Sequence, residues 1–144
     1  MTYRRAFTFL LSALLAGSAF ADGVLPARDR ATLFVATHLD VLSIPSSIYP
    51  RRRPGAHTLA DYGFAHFDAV DGGMQSIDRD TAWVFGIRIV EDDGGRKILC
   101  VQDHALADAT AASQTAIEVK IGPTGLFHGT GRTPLNAQCP LYQR

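Results

Sequence analysis

Apolar side chains fall at every second position from Trp83 through Phe85, Ile87 and Ile89, with Val84, Gly86 and Arg88 between them. That period of two places one set on one face of a β-strand spanning residues 81–90. The run Glu91-Asp92-Asp93-Gly94-Gly95-Arg96 follows, and its Asp-Gly pair is a tight-turn signal. Residues 97–103 are therefore expected to return as an antiparallel partner. With Asp93-Gly94 at the turn centre, Glu91 faces Arg96, Ile89 faces Ile98 and Ile87 faces Cys100. Moving the centre to Gly94-Gly95 leaves every side chain on the same face, because the pairing parity is unchanged. Either turn puts Cys100 on the Trp83 side of the sheet; only a bulge reverses it.

Thr115, Ile117, Val119 and Ile121 alternate with Ala116, Glu118 and Lys120, a third strand with one buried and one wet face. Gly122-Pro123-Thr124-Gly125 has Pro and Gly where a β-turn wants them, and residues 126–130 form a short fourth strand after it. The Ala-rich residues 105–113 read as a loop or one or two helical turns. Upstream, residues 27–42 favour a helix with Phe34, Val41 and Leu42 near one face, against a strand over residues 32–37. Pro45, Pro50 and Pro54 make residues 43–55 non-regular. One further strand is expected within residues 59–70, around residues 64–67, and Asp71-Gly72-Gly73 reads as a loop. The pattern defines an α+β fold: a three- to four-stranded antiparallel meander, an N-terminal helix or strand, and one disulfide. An all-β sandwich or barrel is the alternative.

The first 21 residues have a different character. Arg4 and Arg5 precede an apolar stretch over residues 6–15, and Ala19-Phe20-Ala21 supplies small side chains at the spacing of a cleavage site. These are the three parts of a secretory signal peptide. Spanning a bilayer takes about 20 apolar residues, and Ser12, Gly17 and Ser18 interrupt this run. Ser18 stands where a lipoprotein signal needs a cysteine. Arg4-Arg5-Ala6-Phe7 resembles a twin-arginine core, but the short basic region and Leu-rich stretch favour the general secretory route. Residues 22–144 then form a single periplasmic or secreted domain.

Without the leader the chain carries twelve basic and fourteen acidic residues, a net charge of −2. That balance speaks against general nucleic-acid binding. Cys100 and Cys139 are the only cysteines; an even count in an oxidising compartment is read as a disulfide. No C-x-x-C spacing points to redox or metal chemistry.

The candidate binding segment is Tyr49-Pro50-Arg51-Arg52-Arg53-Pro54-Gly55. Three adjacent guanidinium groups between prolines cannot all turn inward, and their forked donors suit carboxylate or phosphate. The alternative is a solvated turn with one arginine paired inside the chain. Tyr62, close to this basic segment in the chain, adds an aromatic anchor of the kind enriched in binding hot spots, or else covers an edge. His57, Asp61 and His66, with Asp68, have ligand chemistry for zinc or another transition metal. The His57–Asp61 spacing aligns them only on a helix, and Gly55 and Gly63 oppose one; ordinary surface residues are the plainer reading. No Gly-x-Ser-x-Gly elbow, phosphate-binding glycine loop or distinctive carboxylate pair is present, so no catalytic residue or cofactor is assigned.

The expectation is an exported, non-enzymatic binding protein, of inhibitor or immunity type. It meets another protein or an anionic envelope component through residues 51–55, with no membrane span. The competing readings are a small metal-assisted or acid–base hydrolase of the cell envelope, and a structural envelope component whose sheet edge pairs with another chain.

Overall fold

A computed structural model of the chain describes residues 25–107 and 113–139; the leader, its cut site and residues 108–112 lie outside them. Six strands form one sheet: β1 (Asp68–Val70), β2 (Gly73–Asp78), β3 (Trp83–Asp93), β4 (Arg96–Ala105), β5 (Ser113–Ile121) and β6 (Phe127–Gly129). Each pairs antiparallel with the next in chain order, and β1 and β6 are the two edges, so the sheet is not closed into a barrel. One α-helix, α1 (Ala27–Thr37), precedes it among the described residues.

The meander is longer than the three or four strands expected. The reason is in β2. Its inward positions are Met74, Ser76 and Asp78, all buried, so two of three core-facing side chains are polar and no apolar alternation marks the strand. The Asp71-Gly72 pair is a two-residue hairpin turn, both residues at positive φ (43° and 72°), closing on the Val70–Gly73 pair. The strand expected within residues 59–70 is β1, but it begins at Asp68; residues 64–67, its expected centre, are irregular, and Phe64 drops into the core and meets Phe85 edge-on at 5.9 Å.

α1 starts just after Pro26 with Asp29 in its first turn, where an acid complements the helix dipole. It ends at Thr37, not at residue 42. Its buried residues are Thr32, Val35 and Ala36, whereas Phe34 is 48% exposed, so the expected Phe34 face is not the core face. Val35, Ala36 and Leu39 pack with Val41, Ile44, Ile48, Leu59 and Phe64 against Met74, Phe85, Ile87, Leu99, Val101, Ile117, Val119 and Phe127. This is the inner face of the sheet.

The disulfide Cys100–Cys139 is formed, with the Cα atoms 5.4 Å apart, but on the face opposite to that expected. The turn is centred on Gly94-Gly95, pairing Asp93 with Arg96; further in, Glu91 pairs with Ile98 and Ile89 with Leu99. Val90 is thus one extra residue on β3, a bulge. It reverses the parity beyond it, so Cys100 lies opposite Arg88 and not Ile87. Cys100 belongs to a small outer cluster with Ile98, Ala116, Cys139 and Val90. The C-terminal segment crosses this outer face. The Glu118 amide donates to the Arg132 carbonyl at 3.1 Å, Asn136 Nδ2 to Glu91 Oε1 at 2.8 Å, and the Arg88 guanidinium to the Gln138 carbonyl.

Candidate functional site

Pro50 sits in the first turn of a short 3-10 segment, Tyr49–Arg51, held by the Arg51 amide donating to the Ile48 carbonyl at 2.8 Å. Ile48 is fully buried and anchors the loop. Its far end closes through the Ala56 amide on the Arg53 carbonyl at 3.2 Å, with Gly55 at φ 77° supplying the left-handed turn residue. The three arginines are exposed and differ in setting. Arg51 approaches the buried carboxylate of Asp78 at 3.9 Å. Arg52 lies over the Tyr49 ring, 5.2 Å from its centroid. Arg53 lies over Tyr62 at the same distance and donates to the Asp61 carbonyl.

Tyr62 is 7% exposed. Its hydroxyl accepts from the Arg53 amide at 3.2 Å and donates to the Ala56 carbonyl at 3.3 Å. It braces the loop from beneath, while Tyr49, 49% exposed, presents its ring to solvent beside Arg52. The solvent-facing pair is therefore Tyr49 and Arg52, flanked by the partly engaged Arg51 and Arg53.

The structure does not bring His57, Asp61 and His66 together. Asp61 is a cap: its Oδ2 accepts from the His57 amide at 2.9 Å, the Thr58 amide at 2.8 Å and the Thr58 hydroxyl at 2.9 Å. The Thr58 and His57 amide bonds hold its carboxyl below the ordinary 3.8. His66 is exposed in the irregular segment before β1. The His57 ring turns instead to Asp40, with Nδ1 3.6 Å from Oδ1, and His128 approaches the same carboxylate with Nδ1 3.1 Å from Oδ2. Asp40 and His128 are gathered by the β6 edge: the Asp40 amide donates to the Phe127 carbonyl at 2.9 Å and the Gly129 amide to Ser43 Oγ at 2.8 Å. Among the described residues, no group of three or more His, Cys, Asp or Glu is arranged to hold a metal ion.

Two further carboxylates are buried: Asp103, which no motif singles out, and Glu118, which the alternation along β5 places on a wet face. Asp103 is 4% exposed and takes the Ser47 amide at 2.6 Å, the Ser47 hydroxyl at 2.7 Å and the Trp83 indole N–H. It ties the root of the arginine loop to β3 and β4. Glu118 accepts from the Thr130 hydroxyl at 3.0 Å and from Arg96 at 3.3 Å. The Thr130 hydrogen bond, then Arg96 and Arg132, lower its pKa from the ordinary 4.5. A carboxyl whose folded pKa is depressed stabilises the fold fully above its unfolded value and loses that contribution as pH falls through the folded value. Wild-type stability should therefore decline below about pH 4.5, and Glu118→Gln should flatten that decline in urea titrations. An unchanged slope would remove Glu118 from the account.

No helix among the described residues is long and apolar enough to cross a membrane. No protein-family model, curated protein or solved structure matches the chain.

Proposed function

We propose that this is an exported binding protein, of inhibitor or immunity type, which engages an acidic surface on another protein through Tyr49, Arg51, Arg52 and Arg53. The observation that supports the reading is the stacked Tyr49–Arg52 pair on a loop anchored from below by Ile48 and Tyr62. A guanidinium held over a ring keeps its forked donors free for carboxylate, and holding it there before binding reduces the ordering cost of association. Tyr and Arg are also the residue types that dominate binding hot spots. The leader over residues 1–21 and the Cys100–Cys139 bond support periplasmic or secreted delivery.

The test is affinity capture from the native envelope with the processed chain as bait. A partner retained by the wild type should bind Arg52→Glu and Tyr49→Ala at least roughly tenfold more weakly, with circular dichroism unchanged. Equal capture by wild type and both variants would remove this surface. His128→Ala serves as the control, because acid–base hydrolysis is the competing reading that Asp40 supports by standing between His57 and His128. Under the binding reading that substitution leaves capture intact.

A further inference from the structure

The outer face of the sheet holds an open groove of about 300 Å³ beside the disulfide, lined by Val70, Asp71, Gln75, Arg88, Gln102 and Cys100 over a floor that includes Gly73 and Gly86. That volume lies at the small end of ligand pockets. The floor has an unusual member. Gly73 is required by packing, since a Cβ there would fall 2.7 Å from the Ile87 carbonyl oxygen. Gly86 is held less tightly. It lies mid-strand in β3 with no positive φ, and its Cβ would meet Gln102 Oε1 at 3.3 Å, Gln102 Cβ at 3.4 Å and the Met74 carbonyl oxygen at 3.9 Å, contacts that a small shift of the Gln102 side chain relieves. A glycine inside a central strand weakens it by roughly a factor of two to five in folding equilibrium, and such a position recurs where a ligand approaches the backbone closely.

The residues around that bare floor form a polar frame. Gln75, Gly86 and Gln102 are in register across β2, β3 and β4, so two carboxamides flank the gap on one row. Gln102 Nε2 is fixed by Gln114 Oε1 at 2.7 Å, which leaves its oxygen turned to the Gly86 position. On the next row Arg88 is steadied by the Gln138 carbonyl, with four of the five guanidinium donors beyond that bond. Asp71, exposed on the β1–β2 turn, supplies the opposite charge.

We propose that this groove binds a small zwitterion of peptide character, a free amino acid or a dipeptide. Arg88 takes the carboxylate through its fork, Asp71 takes the ammonium, and Gln75 and Gln102 read the polar groups between. Opposite charges on one rim match a ligand carrying both. Among the described residues no aromatic ring lines the groove, and none of them offers the stacking platform that would favour a sugar ring.

The experiment is an amide nitrogen–proton NMR titration of the processed, oxidised chain with L-alanine, L-alanyl-L-alanine, N-acetyl-alanine amide and maltose. Saturable shifts at Gly73, Gln75, Gly86, Arg88 and Gln102 with alanine or alanyl-alanine are expected, and whichever saturates first tells which source of the shared chemistry fits. Gly86→Val should abolish the response by filling the floor. Gln75→Leu, at a half-exposed position, should weaken it roughly tenfold while leaving the rest of the spectrum in place. No saturable shift with either zwitterion at millimolar concentration, an equal response to the blocked amide, or a response to maltose alone would overturn the proposal.

Discussion

Replacing Cys100 and Cys139 together by alanine should cost about 4 kcal/mol of unfolding free energy, the chain-entropy value for a cross-link spanning 39 residues. For a domain of this size that is a large share of a total of roughly 5–15 kcal/mol. The bond does more than close a loop. It holds the C-terminal segment over Ile98 and Ala116, and the Arg88–Gln138 and Asn136–Glu91 contacts depend on the segment lying there. Loss of the bond should therefore also expose the outer cluster, which dye binding would detect alongside an earlier urea midpoint. Coincident midpoints for the double variant and the oxidised wild type would show that the segment holds itself in place without the covalent link.

Much of this scaffold could be read from residues alone, and the failures have specific causes. Strands β3, β4, β5 and β6 follow the expected spans closely because apolar side chains recur at every second position along Trp83–Ile89 and Ile117–Ile121, and glycine-bearing turns separate β3 from β4 and β5 from β6. The helix follows from residues 27–37 being free of internal proline. The face of Cys100 did not follow. The pairing of Asp93 with Arg96 around Gly94-Gly95 is an allowed version of the expected turn, yet one extra residue at Val90 inverts everything beyond it. Nothing in Val90-Glu91-Asp92 marks a bulge locally. β2 was hidden by its inward Ser76 and Asp78, the former with a buried hydroxyl that has no hydrogen-bond partner among the described residues.

The candidate site divides in the same way. Residues 49–55 could be singled out because proline and arginine act locally, one fixing the backbone and the other resisting burial. The roles within the loop depend on what packs beneath it, so sequence alone did not separate the exposed Tyr49 from the buried Tyr62. His57 carried metal-ligand chemistry but finds Asp40 and His128, residues 17 and 71 positions away, because the β6 edge brings them there. Such meetings are set by strand order, and no short-range spacing encodes them.

Asp103→Ala should give the second large effect, about 3 kcal/mol of lost stability, because removing one partner of a buried charged hydrogen-bond set leaves the others unsatisfied. The carboxylate divides its oxygens: Oδ2 accepts the Ser47 amide, and Oδ1 accepts the Ser47 hydroxyl and the Trp83 indole. Asp103→Asn keeps the shape but only one acceptor oxygen, so it should be milder and still fail to hold all three donors. Trp83 is the sole tryptophan and reports directly, through a red-shifted emission once its N–H partner is gone. Ser47 lies immediately before Ile48 and Tyr49, so the same variant should loosen the anchored loop and weaken partner capture without touching an arginine. Wild-type emission and an unshifted urea midpoint in Asp103→Ala would mean that the buried core under Ile48 alone fixes the loop, and the carboxylate would then have no part in presenting Arg52.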